Sequence, residues 1–133
     1  MYLPECHESL AGIIAGRLRE KYHKPAFVLT RGEKCAKGSG RSIESYSMYD
    51  ELVKCADLMV QFGGHPMAAG LSIEEENIEK FREQLNQNCT LTEEDLRPKI
   101  VIDVAMPISY ITKELIEQIS LLEPFGKGNV KPI

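Results

Sequence analysis

The sequence predicts an α/β fold, with α+β as the alternative arrangement: a single mixed β-sheet flanked by helices. Three observations carry this. Apolar residues recur at helical spacing in several separate stretches. Short apolar or alternating runs of strand length fall between them. A chain of 133 residues, 43% hydrophobic and 27% charged, is long enough for one domain with a real core.

His7 to Tyr22 reads as the first helix. Leu10, Ile13, Ile14 and Leu18 form its apolar stripe, Ala11 and Ala15 lie beside it, and His23-Lys24-Pro25 stops it. His7 and Glu8 stand at its N-terminus, where orphan N–H groups favour anions. Ala26 to Thr30 is a strand with both faces buried. In Cys35 to Ile43 a period of two puts Lys37, Ser39 and Arg41 on one face and Gly38, Gly40 and Ser42 on the other. Two cations flanking a hydroxyl suit a phosphate, and Arg41 can bind it bidentately. The same pattern also fits a solvent-facing strand edge.

Met48 to Met59 reads as a second helix with Leu52, Val53, Ala56 and Met59 inward, and Tyr46 and Tyr49 at its entry. Next comes Phe62-Gly63-Gly64-His65-Pro66-Met67-Ala68-Ala69-Gly70, read as a bare loop presenting one imidazole. Such a loop can offer backbone N–H groups to an anion or an open face to a base, and equally can be a tight turn with a structural histidine. Met67 to Ile73 reads as a strand. Ser72 and Glu75 fit a capping box ahead of a helix whose buried stripe is Ile78, Phe81 and Leu85, with Glu76 and Lys80 as an i,i+4 pair. Lys99 to Val104 reads as a strand, and Ile111, Leu115, Ile119 and Leu122 mark a final helix.

The net charge of −4 excludes a global basic field, so a nucleic-acid contact has to be a local patch. Cysteines at 6, 35, 55 and 89 contain no C-x-x-C pair, which argues against a zinc module and for reduced thiols in a cytoplasmic protein. No apolar run is long enough for a membrane helix, no signal peptide is visible, and no membrane partner is expected. Both ends read as cut from a larger protein.

Gly38-Ser39-Gly40-Arg41-Ser42, the Gly-Gly-His segment and Leu121-Leu122-Glu123-Pro124-Phe125-Gly126-Lys127-Gly128-Asn129 together resemble the RecJ family of bacterial single-strand-specific exonucleases. His7 to Arg17 is similar to the start of the same module, the DHH-associated domain of the DHH phosphoesterase superfamily. Cys6, Ser9 and Val130 depart from the family's usual Trp, Gly and Pro. The resemblance implies a DHH-associated nucleic-acid-binding domain over 1–106, then a terminal helix and linker toward an OB-fold domain over 107–133. It implies a substrate-binding role in a 5′–3′ single-stranded-DNA exonuclease of DNA repair and recombination. Ser39, Gly40, Arg41, Gly63, Gly64, His65, Lys37 and His7 are its implied substrate-binding residues, and His65 an auxiliary catalytic group.

No metal ligand is expected in this chain, which has no Asp-His-His. Mn2+ or Mg2+ would sit in a DHH domain of the same polypeptide, and the chain alone is expected to be inactive. Two alternatives remain. One is the same domain of an oligoribonuclease or cyclic-dinucleotide phosphodiesterase, and the other is a non-catalytic nucleic-acid-binding module.

Overall fold

The computed structural model describes residues 1–126 and 128–133. The chain divides into two units, Met1–Pro98 and Lys99–Ile133; the sequence-based boundary at 106/107 falls inside the second.

The first unit is built on a four-stranded sheet in the order β1-β2-β4-β3: β1 (Ala26–Thr30), β2 (Ala36–Arg41), β3 (Met59–His65) and β4 (Ala68–Ile73). All three ladders are antiparallel. The parallel pairing that makes the sheet mixed is one bridge, Tyr2 to Leu29, where the N-terminal segment lies along β1. The arrangement is therefore α+β.

Helix α1 (Glu8–Tyr22) covers the β1–β2 half of one face. Its side chains turn differently from the predicted stripe. Ala11 and Ala15 are buried with Val28, Ile14 and Leu18 pack beside them, and Leu10 and Ile13 are 46% and 62% exposed. Small residues let the helix lie close on the sheet, and that close approach selects the alanine face over the bulkier one. His23 ends the helix in the left-handed region, at φ 49°.

The opposite face carries the main core, with Leu29, Ala36, Met48, Leu52, Leu71, Ile73 and Phe81. The glycines of β2 serve this face. A Cβ on Gly40 would lie 2.5 Å from Met48 Sδ and 2.6 Å from a Phe27 ring carbon. Helix α3 (Ile78–Asn88) contributes Phe81, whose ring meets Phe27 edge-on at 5.6 Å. Burying such a ring contributes about 1.5–3 kcal/mol.

Several local expectations are corrected. Helix α2 is only Met48–Val53, and a 3-10 turn over Ala56–Leu58 leads into β3. Val53 consequently faces solvent and Cys55 is buried. Tyr46 is buried, while Tyr49 lies against Phe62 at the rim. The Gly-Gly-His segment is not a loop but the end of a strand, with the hairpin turn at Pro66–Met67. Ser72 caps nothing: it is buried in β4, and α3 starts at Ile78 with Asn77 at its N-cap position and no side-chain cap. The ion pair on α3 joins Arg82 to Glu79 at 3.0 Å, and among the described residues Glu76 and Lys80 form none.

The second unit contains α4 (Lys113–Ser120), capped by Thr112 Oγ1 accepting from the Leu115 N–H. Lys99 to Val104 is not a strand; these residues are exposed and unpaired in any ladder. In the exit segment the Asn129 amide donates to the Leu122 and Pro124 carbonyls at 2.6 and 3.2 Å, clasping the turn. The Glu123–Pro124 peptide there is cis. Lys127 of that motif lies outside the described residues.

Candidate nucleic-acid interface

Residues paired across an antiparallel sheet share a face. Three rows therefore cross β2, β4 and β3 on the side that bears α1: Lys37–Ser72–Gln61, Ser39–Gly70–Gly63 and Arg41–Ala68–His65. Arg41 and His65 both flank Ala68, two strand spacings or about 10 Å apart at the backbone.

Arg41 is held along its own strand. Its Nη1 donates to Ser39 Oγ at 3.1 Å and to the Gly40 carbonyl at 2.8 Å. Gly12 of α1 makes room for it, since a Cβ there would lie 2.9 Å from Nη2. Among the described residues no carboxylate pairs with Arg41 or with Lys37. Lys37 Nζ donates instead to Ser72 Oγ at 3.0 Å. Two cations with no carboxylate partner among the described residues thus share one face of β2.

Apart from Ser39, the middle row is bare. A Cβ on Gly63 would meet nothing within 4 Å, and one on Gly70 would meet only the Gly38 carbonyl at 3.8 Å. Because α1 stops over β2, this bare strip is the floor of a groove of about 570 Å³. Its wall is the first turn of α1, including Glu8 and Ser9, and its floor includes Lys37, Ser39, Gly63, Gly70 and Ser72. The volume falls in the usual range for ligand sites, about 300–1,000 Å³.

His65 sits exposed at the hairpin end of this face. Its Nδ1 accepts the Met67 N–H at 3.3 Å, which leaves the ring proton on Nε2 as an outward donor. Gly64 turns the other way. Its φ is 149° and a Cβ would lie 2.6 Å from Ala69 Cα, so it is glycine because β4 approaches closely. Gly40 likewise faces the core and joins the site only through its carbonyl.

His7 is the N-cap of α1. Its Nδ1 accepts from the Ser9 N–H at 3.3 Å and meets Ser9 Oγ at 2.8 Å, so it shapes the groove wall through its neighbours. Among the described residues no three His, Cys, Asp or Glu side chains converge to hold a metal ion.

Sequence reasoning missed Gly12, Gly70, Ser72 and Gln61. Gly12 carried a usable signal, because glycine inside a helix costs about 1 kcal/mol against alanine and asks for a packing reason. Ser72 was hidden by a capping pattern, and Gly70 and Gln61 acquire meaning only from the register.

Residues 1–91 match the family model described as the DHHA1 domain, and residues 102–133 match the RecJ OB domain. The chain is 40% identical over 127 residues to the single-stranded-DNA-specific exonuclease RecJ of Bacillus subtilis (strain 168), covering 92% of this chain and 16% of that protein. It is 34% identical over 140 residues to the same exonuclease of Escherichia coli (strain K12), covering 100% of this chain and 24% of that protein. The chain thus spans a quarter or less of the length of these curated relatives. Among solved structures it is similar to RecJ in complex with Mg2+ from Thermus thermophilus, with a TM-score of 0.84 and 28% identity over 98% of this chain and 20% of that one. It is also similar to exonuclease RecJ bound to manganese, with a TM-score of 0.61 and 31% identity over 65% of this chain and 22% of that one.

Proposed function

The chain belongs to the DHHA1 domain family, in the form found in RecJ, and from that membership we propose that it is the strand-holding part of a single-strand-specific 5′–3′ DNA exonuclease. One observation carries the reading. Arg41 and His65 flank Ala68 in one row on the α1 side of the sheet, next to the row that carries Gly70 and Gly63, and Arg41 has no carboxylate partner among the described residues.

A threaded strand lies over the bare row. A phosphate meets Arg41 and the Ser39 hydroxyl, and the Gly40 carbonyl keeps the guanidinium in place. The sugar-phosphate passes over Gly63, which offers no side chain to obstruct it. His65 donates from Nε2 to a non-bridging oxygen where charge develops. Met1–Pro98 performs this holding role, and residues 102–133, which match the RecJ OB domain, belong to an OB fold of the same polypeptide.

In this reading the chain binds and orients the strand. A divalent ion of the kind found with the solved relatives, Mg2+ or manganese, would belong to a DHH domain beyond it. The setting is cytoplasmic DNA repair and recombination.

The test is turnover by the complete polypeptide that carries this chain. Long 5′-phosphorylated single-stranded DNA should be degraded, and duplex spared. Preference for dinucleotides or cyclic dinucleotides would favour an oligoribonuclease or phosphodiesterase instead. Strand binding without any hydrolysis would leave a binding module.

A further inference from the structure

The row Lys37–Ser72–Gln61 lies at the far end of the groove from His65, one row beyond Ser39–Gly70–Gly63. We infer that this row is a second phosphate subsite, seating the phosphate next to the one at Arg41. The inference rests on the strand-holding function proposed above and gives that face a fixed spacing.

Three observations support it. First, Lys37 reaches across the ladder. The residue is exposed, its ammonium donates to Ser72 Oγ at 3.0 Å, and Ser72 is itself 7% exposed, so the hydroxyl end of the pair has a defined position. That bond uses one ammonium proton and one hydroxyl lone pair, leaving two N–H donors and the Ser72 O–H to meet an anion.

Second, the spacing fits a strand. The Arg41 guanidinium folds back onto Ser39, so the first anion site lies level with the middle row. The Lys37–Ser72 pair is two residues along β2 and β4, about 6.4–6.8 Å away. That is about one sugar-phosphate repeat of an extended single strand.

Third, beyond Ser39 the middle row carries no side chain, because Gly70 and Gly63 complete it. A backbone can lie flat beside Ser39 from the Arg41 end to the Lys37–Ser72 row. Gln61 closes the row at the β3 edge with an exposed carboxamide, a donor and acceptor for the sugar or base of the same nucleotide. Glu8, on the groove wall, is the one carboxylate among the groove-lining residues described. It stands in the first turn of α1, on the helix side rather than on the sheet row.

Binding of 5′-phosphorylated single strands to the complete enzyme tests this. The strands carry one neutral methylphosphonate at the first, second or third linkage, and the proteins are wild type, Lys37→Met and Arg41→Ala. One linkage should cost wild type about tenfold, the loss of one charge-assisted hydrogen-bonded contact. Lys37→Met should lose the same factor on the all-phosphate strand and show no further loss at that linkage. Arg41→Ala should keep full sensitivity there and lose it at the adjacent phosphate, as a double-mutant cycle requires. Ser72→Ala should weaken the Lys37-dependent linkage only.

If Lys37→Met stays as sensitive as wild type at every linkage while Arg41→Ala does not, the second subsite is overturned and the strand-holding function stands. If neither variant and no linkage changes affinity, both are overturned.

Discussion

Replacing Gly63 by leucine asks whether the bare row is where the strand lies. A Cβ at this position meets no heavy atom within 4 Å, and the residue is exposed. The folded chain therefore has room for the side chain, and stability should change by no more than about 0.5 kcal/mol, as at other open surface sites. Gly64→Ala is the contrast. Its φ of 149° suits glycine, and the new methyl would lie 2.6 Å from Ala69 Cα and overlap the Ala68 carbonyl. An unfavourable backbone conformation costs about 1–3 kcal/mol, and forced overlap costs about 1–3 more. For a unit of this size the sum lowers Tm by about 10 °C or more. The two neighbours thus separate stability from binding. In the complete enzyme, Gly63→Leu should weaken 5′-phosphorylated single-strand binding at least tenfold, about 1.4 kcal/mol. Anisotropy of a labelled oligonucleotide measures that, and a urea midpoint on the 133-residue chain measures the fold. Wild-type affinity for Gly63→Leu, with its midpoint preserved, refutes the placement of the strand.

The remaining predictions concern charge, geometry and pH. Arg41→Ala should weaken strand binding with little sequence dependence and flatten the log–log salt slope by about 0.7, the share of one phosphate on a single strand; an unchanged slope removes Arg41 from the site. Gly12→Val should displace the guanidinium, since even a Cβ stands 2.9 Å from Nη2. Its binding loss should be absent in an Arg41→Ala background, and full additivity of the two would contradict the cradle. His65→Ala should lower kcat more than affinity, whereas a pure KM effect would deny it a transition-state role. Burial, reinforced by Glu51, pushes the Cys55 thiol above its ordinary value of 9.0. The folded state then keeps this proton longer than the unfolded chain, so the associated stability is complete below about pH 9 and is lost as pH rises further. Urea midpoints from pH 7 to 10.5 should fall less steeply in Cys55→Ala, and parallel curves would show that the thiol contributes nothing.

The site was legible in the sequence where local periodicity alone decides orientation. Lys37, Ser39 and Arg41 share a face because a strand alternates, whatever it pairs with. Phe81 and its stripe were legible for the analogous reason in a helix. The failures share one cause, in that tertiary contact chose between locally equal options. Gly63 and Gly64 read as a turn because glycines usually punctuate. Here one lies bare on an edge strand and the other admits a neighbouring backbone, and only the β3–β4 register separates them. The first helix offered both an aliphatic and an alanine face. Its distance from the sheet chose the alanines, and that same closeness brought Gly12 onto Arg41.

The shape of the groove also sets how strongly this chain can bind alone. Helix α1 supplies one tall wall, about 10 Å of helix standing on the sheet. Toward β3 the floor runs out to an unpaired edge with no opposing wall within the first unit. Arg41 and Lys37 have no carboxylate partner among the described residues, and two phosphates neutralised on a single strand give a salt slope of only about 1.4. A net charge of −4 adds no attraction from the rest of the chain. Weak binding by the isolated chain therefore follows from the same geometry that fits a strand. In the strand-holding function proposed above, the chain supplies spacing and orientation on one side, and tight capture requires a second surface facing the open edge.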